Sequence, residues 1–399
     1  MATDEPAMRP NGEGTVAVGV VLVDDSRVQR RFLRSALEAT PEFEVVGEAR
    51  NGREAVAMVE RLGPAAVLMD LELPVMNGIE AIERIMASRP TPIVVYSAFV
   101  DEEHSTNAME ALAAGAVDVF AKPTWGEGGR LDEYADEIRR RLRVAARVRV
   151  ITHPRGRLRA PAAAATPTAA PAKALPQAHP RRTDPKPASP RRTAAQPPVA
   201  VRTVTTQLVA IGASTGGPQA LATVLAHLPA GFEPAVLVVQ HMAEGFIPGL
   251  VSWLDGLIPL PVVQGESGRR LQSGTVTVAP SGLNLLVRDR LRVVCEPAPE
   301  RQFHVPGIDA SFESIAEAVG AQSVGVLLTG MGRDGAQGLK AMRDCGAVTI
   351  GQDEATSAVY GMPQAGHAIG AVQYQLPIGE VGPAILSIVQ GGAPSCASS

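Results

Sequence analysis

At 399 residues the chain is long enough for two or three domains of ordinary size. Its 45% hydrophobic content and formal net charge of −4 exclude overall disorder and a chain-wide cationic field, so no nucleic-acid partner is expected. The aromatic content of 4% suits aliphatic α/β layers rather than a stacking platform.

No apolar run approaches the roughly 20 residues that span a bilayer, so no direct membrane insertion is expected. Acids among the first residues argue against a cleaved leader. Cys295, Cys345 and Cys396 are too scattered for a zinc site and read as reduced thiols of a cytoplasmic protein.

After a lead over residues 1–16, an apolar strand at 18–23 ends in Asp24 and Asp25. A helix follows, with Val28, Phe32, Leu33 and Leu37 placed on one face. Further strands are expected at 45–49, 66–70, 92–97 and 116–122, with a helix over 52–62. Polar groups sit at strand ends: Asp70, Ser97 and Lys122 join Asp24 and Asp25. In a doubly wound sheet such ends converge on one edge. Three crowded acids offer hard oxygen ligands for magnesium, and an ammonium and a hydroxyl opposite them suit a phosphoryl group.

On these residues and on Leu73-Pro74-Val75-Met76-Asn77-Gly78, residues 17–145 resemble a response-regulator receiver domain, with a flavodoxin-like five-stranded parallel sheet. The resemblance implies Asp70 as phosphoacceptor, Asp24, Asp25 and Asp70 as magnesium ligands, and Ser97 and Lys122 as the switch pair. It also implies a histidine kinase as phosphodonor. Asn77 stands where the family usually has Asp, and Val119 where many receivers carry a rotating aromatic.

Residues 146–203 collapse into Ala, Pro, Arg and Thr and read as a linker. Its arginines are not interleaved with aromatics, so a solubilising tether fits better than a nucleic-acid arm.

The pattern resumes over 204–392, with a short tail at 393–399. Gly212-Ala213-Ser214-Thr215-Gly216 lies between an apolar strand and a helix and satisfies the G-x-S-x-G nucleophile pattern; a helix cap or a phosphate loop is the alternative. A strand at 234–240 ends at His241, and another at 323–329 runs towards Asp334. Strand-end positions would gather Ser214, His241 and Asp334 on one edge, as a serine, its base and an orienting carboxylate require. His367 is the rival base because it gives the chain order Ser, Asp, His, but it lies in a proline-started helical segment. His227 fits a helix and His304 a loop.

With Gln240-His241-Met242, the run from Leu327 to Gly335 and Gln352-Asp353-Glu354-Ala355-Thr356-Ser357, this half resembles the catalytic domain of chemotaxis protein-glutamate methylesterases. The resemblance implies a doubly wound α/β esterase with a mainly parallel sheet. It further implies Ser214 as nucleophile, His241 as base and Asp334 as its orienter, with no cofactor for this half. Met331 and Thr215 are the oxyanion candidates. The implied substrates are methylated chemoreceptors, whose glutamate γ-methyl esters would be hydrolysed and whose glutamines deamidated. Asn284 stands where related enzymes often carry histidine, which suggests an altered substrate contact. The alternative is a non-catalytic phosphate sink or scaffold. A DNA-binding regulator lacks support, since no helix-turn-helix pattern is present.

Overall fold

A computed structural model of the chain describes residues 9–10, 16–97, 102–122, 131–148, 205–243, 245–299, 302 and 304–392. The linker from residue 149 and the tail at 393–399 lie outside the described residues.

The first body contains β1 (Arg9–Pro10), β2 (Val16–Val23), α1 (Arg27–Glu38), β3 (Phe43–Ala49), α2 (Gly52–Leu62), β4 (Ala66–Met69) and α3 (Gly78–Ser88). It continues with β5 (Ile93–Ser97), α4 (Glu102–Ala114), β6 (Asp118–Ala121) and α5 (Leu131–Ala145). Strands β3-β2-β4-β5-β6 form a parallel sheet, as the alternation of apolar runs and helices requires. The two-residue β1 adds an antiparallel pair at the start of β2, a feature too short to leave a pattern in the sequence. Asn51 and Asn77 cap α2 and α3 with their side-chain oxygens, so asparagine at 77 keeps the capping function of an aspartate there.

One expected core position fails. Val28 is 72% exposed, whereas α1 buries Arg30, Leu33, Ala36 and Leu37. At about 100° per residue Val28 lies about 140° round the helix from Leu33, off the sheet-facing stripe. Phe32, half-buried, stacks instead on Tyr134, with ring centroids 6.2 Å apart.

The second body contains β7 (Leu208–Ala213), α6 (Gly217–Leu225), β8 (Ala235–Gln240), α7 (Ile247–Asp255), β9 (Val262–Gln264), β10 (Val276–Val278), β11 (Asn284–Arg288) and β12 (Arg292–Glu296). It continues with α8 (Ile308–Ala318), β13 (Ser323–Leu327), α9 (Ala336–Asp344), β14 (Val348–Gln352), α10 (Met362–Ala368), β15 (Tyr374–Leu376) and α11 (Ile378–Val389). Seven strands run parallel in the order β15-β14-β13-β7-β8-β10-β9, while β11 and β12 form a separate antiparallel hairpin. Strands β7, β8 and β13 are buried along their whole length, which is why they read as unbroken apolar runs.

The two bodies share a core. Ala108, Met109 and Leu112 of α4 belong to the same buried cluster as Phe246, Ile247 and Leu250 at α7. Polar contacts frame this seam: Gln219 Nε2 donates to the carbonyls of Leu112 and Ala116, each at 2.8 Å, and Ser105 Oγ accepts the Gly249 N–H at 3.1 Å. Among the described residues no helix is long and apolar enough to cross a membrane.

Phe312 of α8 is fully buried against the sheet beside Gly212. Phe312→Ala is expected to cost about 3–5 kcal/mol of stability through the cavity it leaves, measured as a lower urea midpoint.

Candidate active site and phosphoacceptor site

The register of two adjacent strands builds the first half of the site. Ala213 of β7 is the Cα partner of Gln240 on β8, so the next residues, Ser214 and His241, emerge side by side at the carboxyl edge. The His241 N–H donates to the Ala213 carbonyl at 3.0 Å, and Gln240 Nε2 donates to the carbonyls of Ser214 (2.9 Å) and His241 (2.8 Å). This single amide ties the backbone of the serine turn to the backbone of His241. The turn itself closes through Gly216, whose φ of 75° is a conformation that a side chain would strain.

β13, paired to the other side of β7, brings the third group. Asp334 Oδ2 lies 2.7 Å from His241 Nε2, and both side chains are largely sequestered from solvent. The carboxylate also accepts N–H groups of Ile308 (2.8 Å), Asp309 (3.0 Å) and Gly335 (3.0 Å). Burial opposes its charge, but the His241 hydrogen bond and charge, with the Asp309 and Ile308 N–H groups, hold its carboxyl down to about 2. With Nε2 engaged, Nδ1 is the ring nitrogen left over; it is buried and meets no partner among the described residues. Ser214, Thr215, His241, Met242 and Met331 line one cleft of about 320 Å³. Neither the Thr215 nor the Met331 N–H meets an acceptor among the described residues. His367, the rival base, lies exposed on α10.

His304 stands closer to this chemistry than its loop setting suggested. Its ring stacks on His241 with centroids 4.5 Å apart and planes 15° from parallel. Burial, then the neighbouring His241 charge, push it down to about 4, so it stays neutral at pH 7. Asn284 does not line the cleft. It is buried on β11, pairs amide to amide with Gln302 at 2.8 Å in both directions, and accepts the Gly307 N–H at 2.7 Å. The expected altered substrate contact is therefore corrected to a clamp on the His304 loop, a role that only tertiary structure discloses.

Ala243, His304 and Val305 add to the cleft wall from the second body, and Asp118, Glu137, Arg140, Arg141 and Val144 complete it from the first. Arg141 bridges Asp118 and Glu137, Arg140 pairs with Glu137, and the Arg140 guanidinium reaches the Met331 sulfur at 4.0 Å. Burial disfavours the Glu137 charge, but the Arg140 hydrogen bond and the Arg141 charge outweigh it and hold the carboxyl down to about 2.

Just past the carboxyl ends of β2 and β4, Asp24, Asp25 and Asp70 offer carboxylate oxygens within 4.8 Å of one another. Asp24 and Asp70 are buried and Asp25 is exposed. Lys122 Nζ lies 2.5 Å from Asp70 and 3.4 Å from Asp24, whose carboxylate also accepts the Tyr96 hydroxyl at 2.5 Å and the Ser26 N–H at 2.7 Å. Burial raises the Asp70 carboxyl to about 6 against the pull of Lys122. Ser97 is buried at the end of β5, and its carbonyl accepts the Lys122 N–H at 2.8 Å. Val119 is packed in the core, while Tyr96 sits under Lys122, its ring centre 4.9 Å from Nζ. The three carboxylates and the Lys122 ammonium gather here, with Ser97 in contact through its backbone carbonyl, and three carboxylates are the hard donors that magnesium favours.

The Asp334 interaction has a measurable stability signature. A carboxyl held at about 2 against an ordinary 3.8 contributes stability that is complete above 3.8 and lost as pH falls towards 2. Asp334→Asn should flatten the acid limb of the stability curve over that window, read by urea titration at each pH.

Comparison with known proteins agrees across nearly the whole length. The family model described as CheB methylesterase matches residues 209–385, and the response regulator receiver domain matches residues 20–129. A protein-glutamate methylesterase/protein-glutamine glutaminase of Paramagnetospirillum magneticum is 40% identical over 94% of this chain and 98% of its own. One from Cupriavidus pinatubonensis is 39% identical over 92% and 96%. The solved catalytic domain of Thermotoga maritima CheB methylesterase aligns with 47% of this chain and 99% of itself at 30% identity, with a TM-score of 0.44. The chain belongs to the protein-glutamate methylesterase/protein-glutamine glutaminase family, with a response-regulator receiver domain ahead of its methylesterase domain.

Proposed function

We propose that the chain is a cytoplasmic serine esterase of chemoreceptors, hydrolysing glutamate γ-methyl esters and deamidating receptor glutamines under the control of phosphorylation at Asp70. The observation that carries this reading is the His241–Asp334 bond of 2.7 Å, which leaves Nδ1 without a partner among the described residues, in a side chain that lines the same cleft as Ser214.

Ser214 Oγ attacks the ester carbonyl carbon while His241 Nδ1 takes its proton, and Asp334 stabilises the imidazolium and fixes the tautomer. The N–H groups of Met331 and Thr215 receive the oxyanion. The His241 proton passes to the leaving methoxide, or to the leaving amine in the glutamine reaction, releasing methanol or ammonia. Water, deprotonated by His241, then cleaves the acyl-serine and frees the glutamate.

In the receiver, Asp24, Asp25 and Asp70 would hold Mg²⁺, which supplies positive charge to offset the incoming phosphoryl group. A histidine kinase is the phosphodonor, and Lys122 and Ser97 contact the phosphoryl oxygens. Modification of Asp70 adds roughly −1.5 to −2 charge, enough to bias a docked interface. Withdrawal of α5 from the cleft would then admit a receptor segment, since Glu137, Arg140 and Arg141 line the substrate side of Ser214.

Methanol release from methylated receptor membranes tests the reading. The full chain should turn over slowly and accelerate with a small acyl phosphate, whereas Asp70→Asn should not respond. Ser214→Ala should lose about 10³-fold or more in kcat. Unchanged turnover in Ser214→Ala would favour the phosphate-sink alternative, and equal rates with and without phosphodonor would remove the regulatory half. Arg140→Ala should raise the basal rate of the unphosphorylated chain; a basal rate identical to wild type would argue against α5 as the cover.

A further inference from the structure

The first turns of α8 and α9 face each other, and each is capped by an acid from the other's neighbourhood. Asp334, just ahead of α9, accepts the N–H groups of Ile308 and Asp309, the first two residues of α8. Asp309 in turn accepts the N–H of Gly338, the third residue of α9, at 2.7 Å. Neither helix has a cap of its own, because the N-cap residues are Gly307 and Gly335 and supply no side-chain bond. The approach is close because residue 338 lacks a side chain: a Cβ there would lie 2.6 Å from Phe312 Cβ and 2.8 Å from the Asp309 carbonyl oxygen.

Reciprocal capping sets the two acids side by side: the Asp309 N–H donates to Asp334 Oδ1 while the Asp309 carboxyl accepts the Gly338 N–H. Adjacent buried acids do not ionise together without cost, so one keeps a proton to higher pH. Asp334 has the imidazole and three N–H groups; among the described residues the Asp309 carboxyl has only the Gly338 N–H. Burial, opposed by that N–H, together with the charges of Asp334 and of Glu313 on its own helix, lifts the Asp309 carboxyl to about 6.

We propose that Asp309 is a positioning residue for the Ser214 centre, holding the Asp334 carboxylate in the plane that keeps its Oδ2 on His241. The proposal rests on the esterase reading above. It makes the orienting carboxylate one half of a buried acid pair, clamped between two helix N-termini. It also gives the site a second ionisation: above about pH 6 Asp309 adds negative charge beside Asp334, which favours the protonated imidazole and moves the acid limb of activity upward.

Asp309→Asn keeps an oxygen for the Gly338 N–H but cannot ionise. Asp309→Ala loses that bond, leaving the Asp309 backbone N–H on Asp334 in place. Both are compared with wild type in the full chain, activated by a small acyl phosphate, by methanol release across pH 5–9, with thermal melting used to correct for folded fraction. The expected result is a kcat within about threefold of wild type for Asp309→Asn, with its acid limb moved to lower pH and made shallower. Asp309→Ala should lose about tenfold or more in kcat with little change in KM. Asp309→Ala with wild-type kcat and acid limb overturns the proposal, as does Asp309→Asn as slow as Asp309→Ala at equal folded fraction. Ser214→Ala in the same assay separates the two levels: activity that survives it overturns the esterase reading, whereas its loss beside an unaffected Asp309→Ala overturns only the role of Asp309.

Discussion

The contact on which the rest of the site depends is the one between the imidazole of residue 241 and the carboxylate of residue 334. An ionised carboxylate shielded from water is costly unless its oxygens are satisfied. Here the α8 N-terminus offers two N–H groups at the positive end of a helix dipole, Gly335 offers a third, and the imidazole fills the remaining position. The carboxylate is therefore stable where it is needed, and its direction is set by groups that cannot rotate. Once Nε2 is committed, the tautomer and the free nitrogen follow without further machinery.

The same edge of the sheet also explains how a second domain can control the first. Parallel strands put the reacting side chains beyond their carboxyl ends, so the chemistry lies on an open rim rather than in a closed pocket. A neighbouring body docked through α4 and α7 can lay a helix along that rim. The seam combines a continuous apolar core with a few directed bonds from Gln219 and Ser105. The charged residues of α5, by contrast, meet the cleft mainly through their own ion pairs, with Arg140 reaching Met331 only at 4.0 Å. A strong seam beside a loosely engaged cover suits movement driven by a modest charge change elsewhere.

Much of this was legible before any coordinates. Buried parallel strands such as β7, β8 and β13 announce themselves as apolar runs, and their ends fix where polar residues must gather. That logic placed Ser214, His241, Asp334 and the acids around Asp70 at two sheet edges. It failed where geometry rather than periodicity decides. Val28 is apolar and four residues from Phe32 yet is exposed, because the five-residue step to the buried Leu33 is out of phase with the helix. His304 and Asn284 carry no local signal: one reaches His241 by stacking, and the other acts through Gln302 and Gly307 across a hairpin and a loop. The Asp309 and Asp334 pair is likewise invisible in sequence, since twenty-four residues separate two acids that only helix packing brings together.

The central claim is that Ser214 becomes covalently acylated through a proton taken by His241. Rapid acid quenching of the phosphorylated chain during turnover of methylated receptor, followed by mass spectrometry of the peptide containing Ser214, measures this directly. A receptor-derived adduct on Ser214 that is absent in His241→Ala is the predicted result. An adduct on another residue, or an equal yield of adduct in His241→Ala, would contradict it.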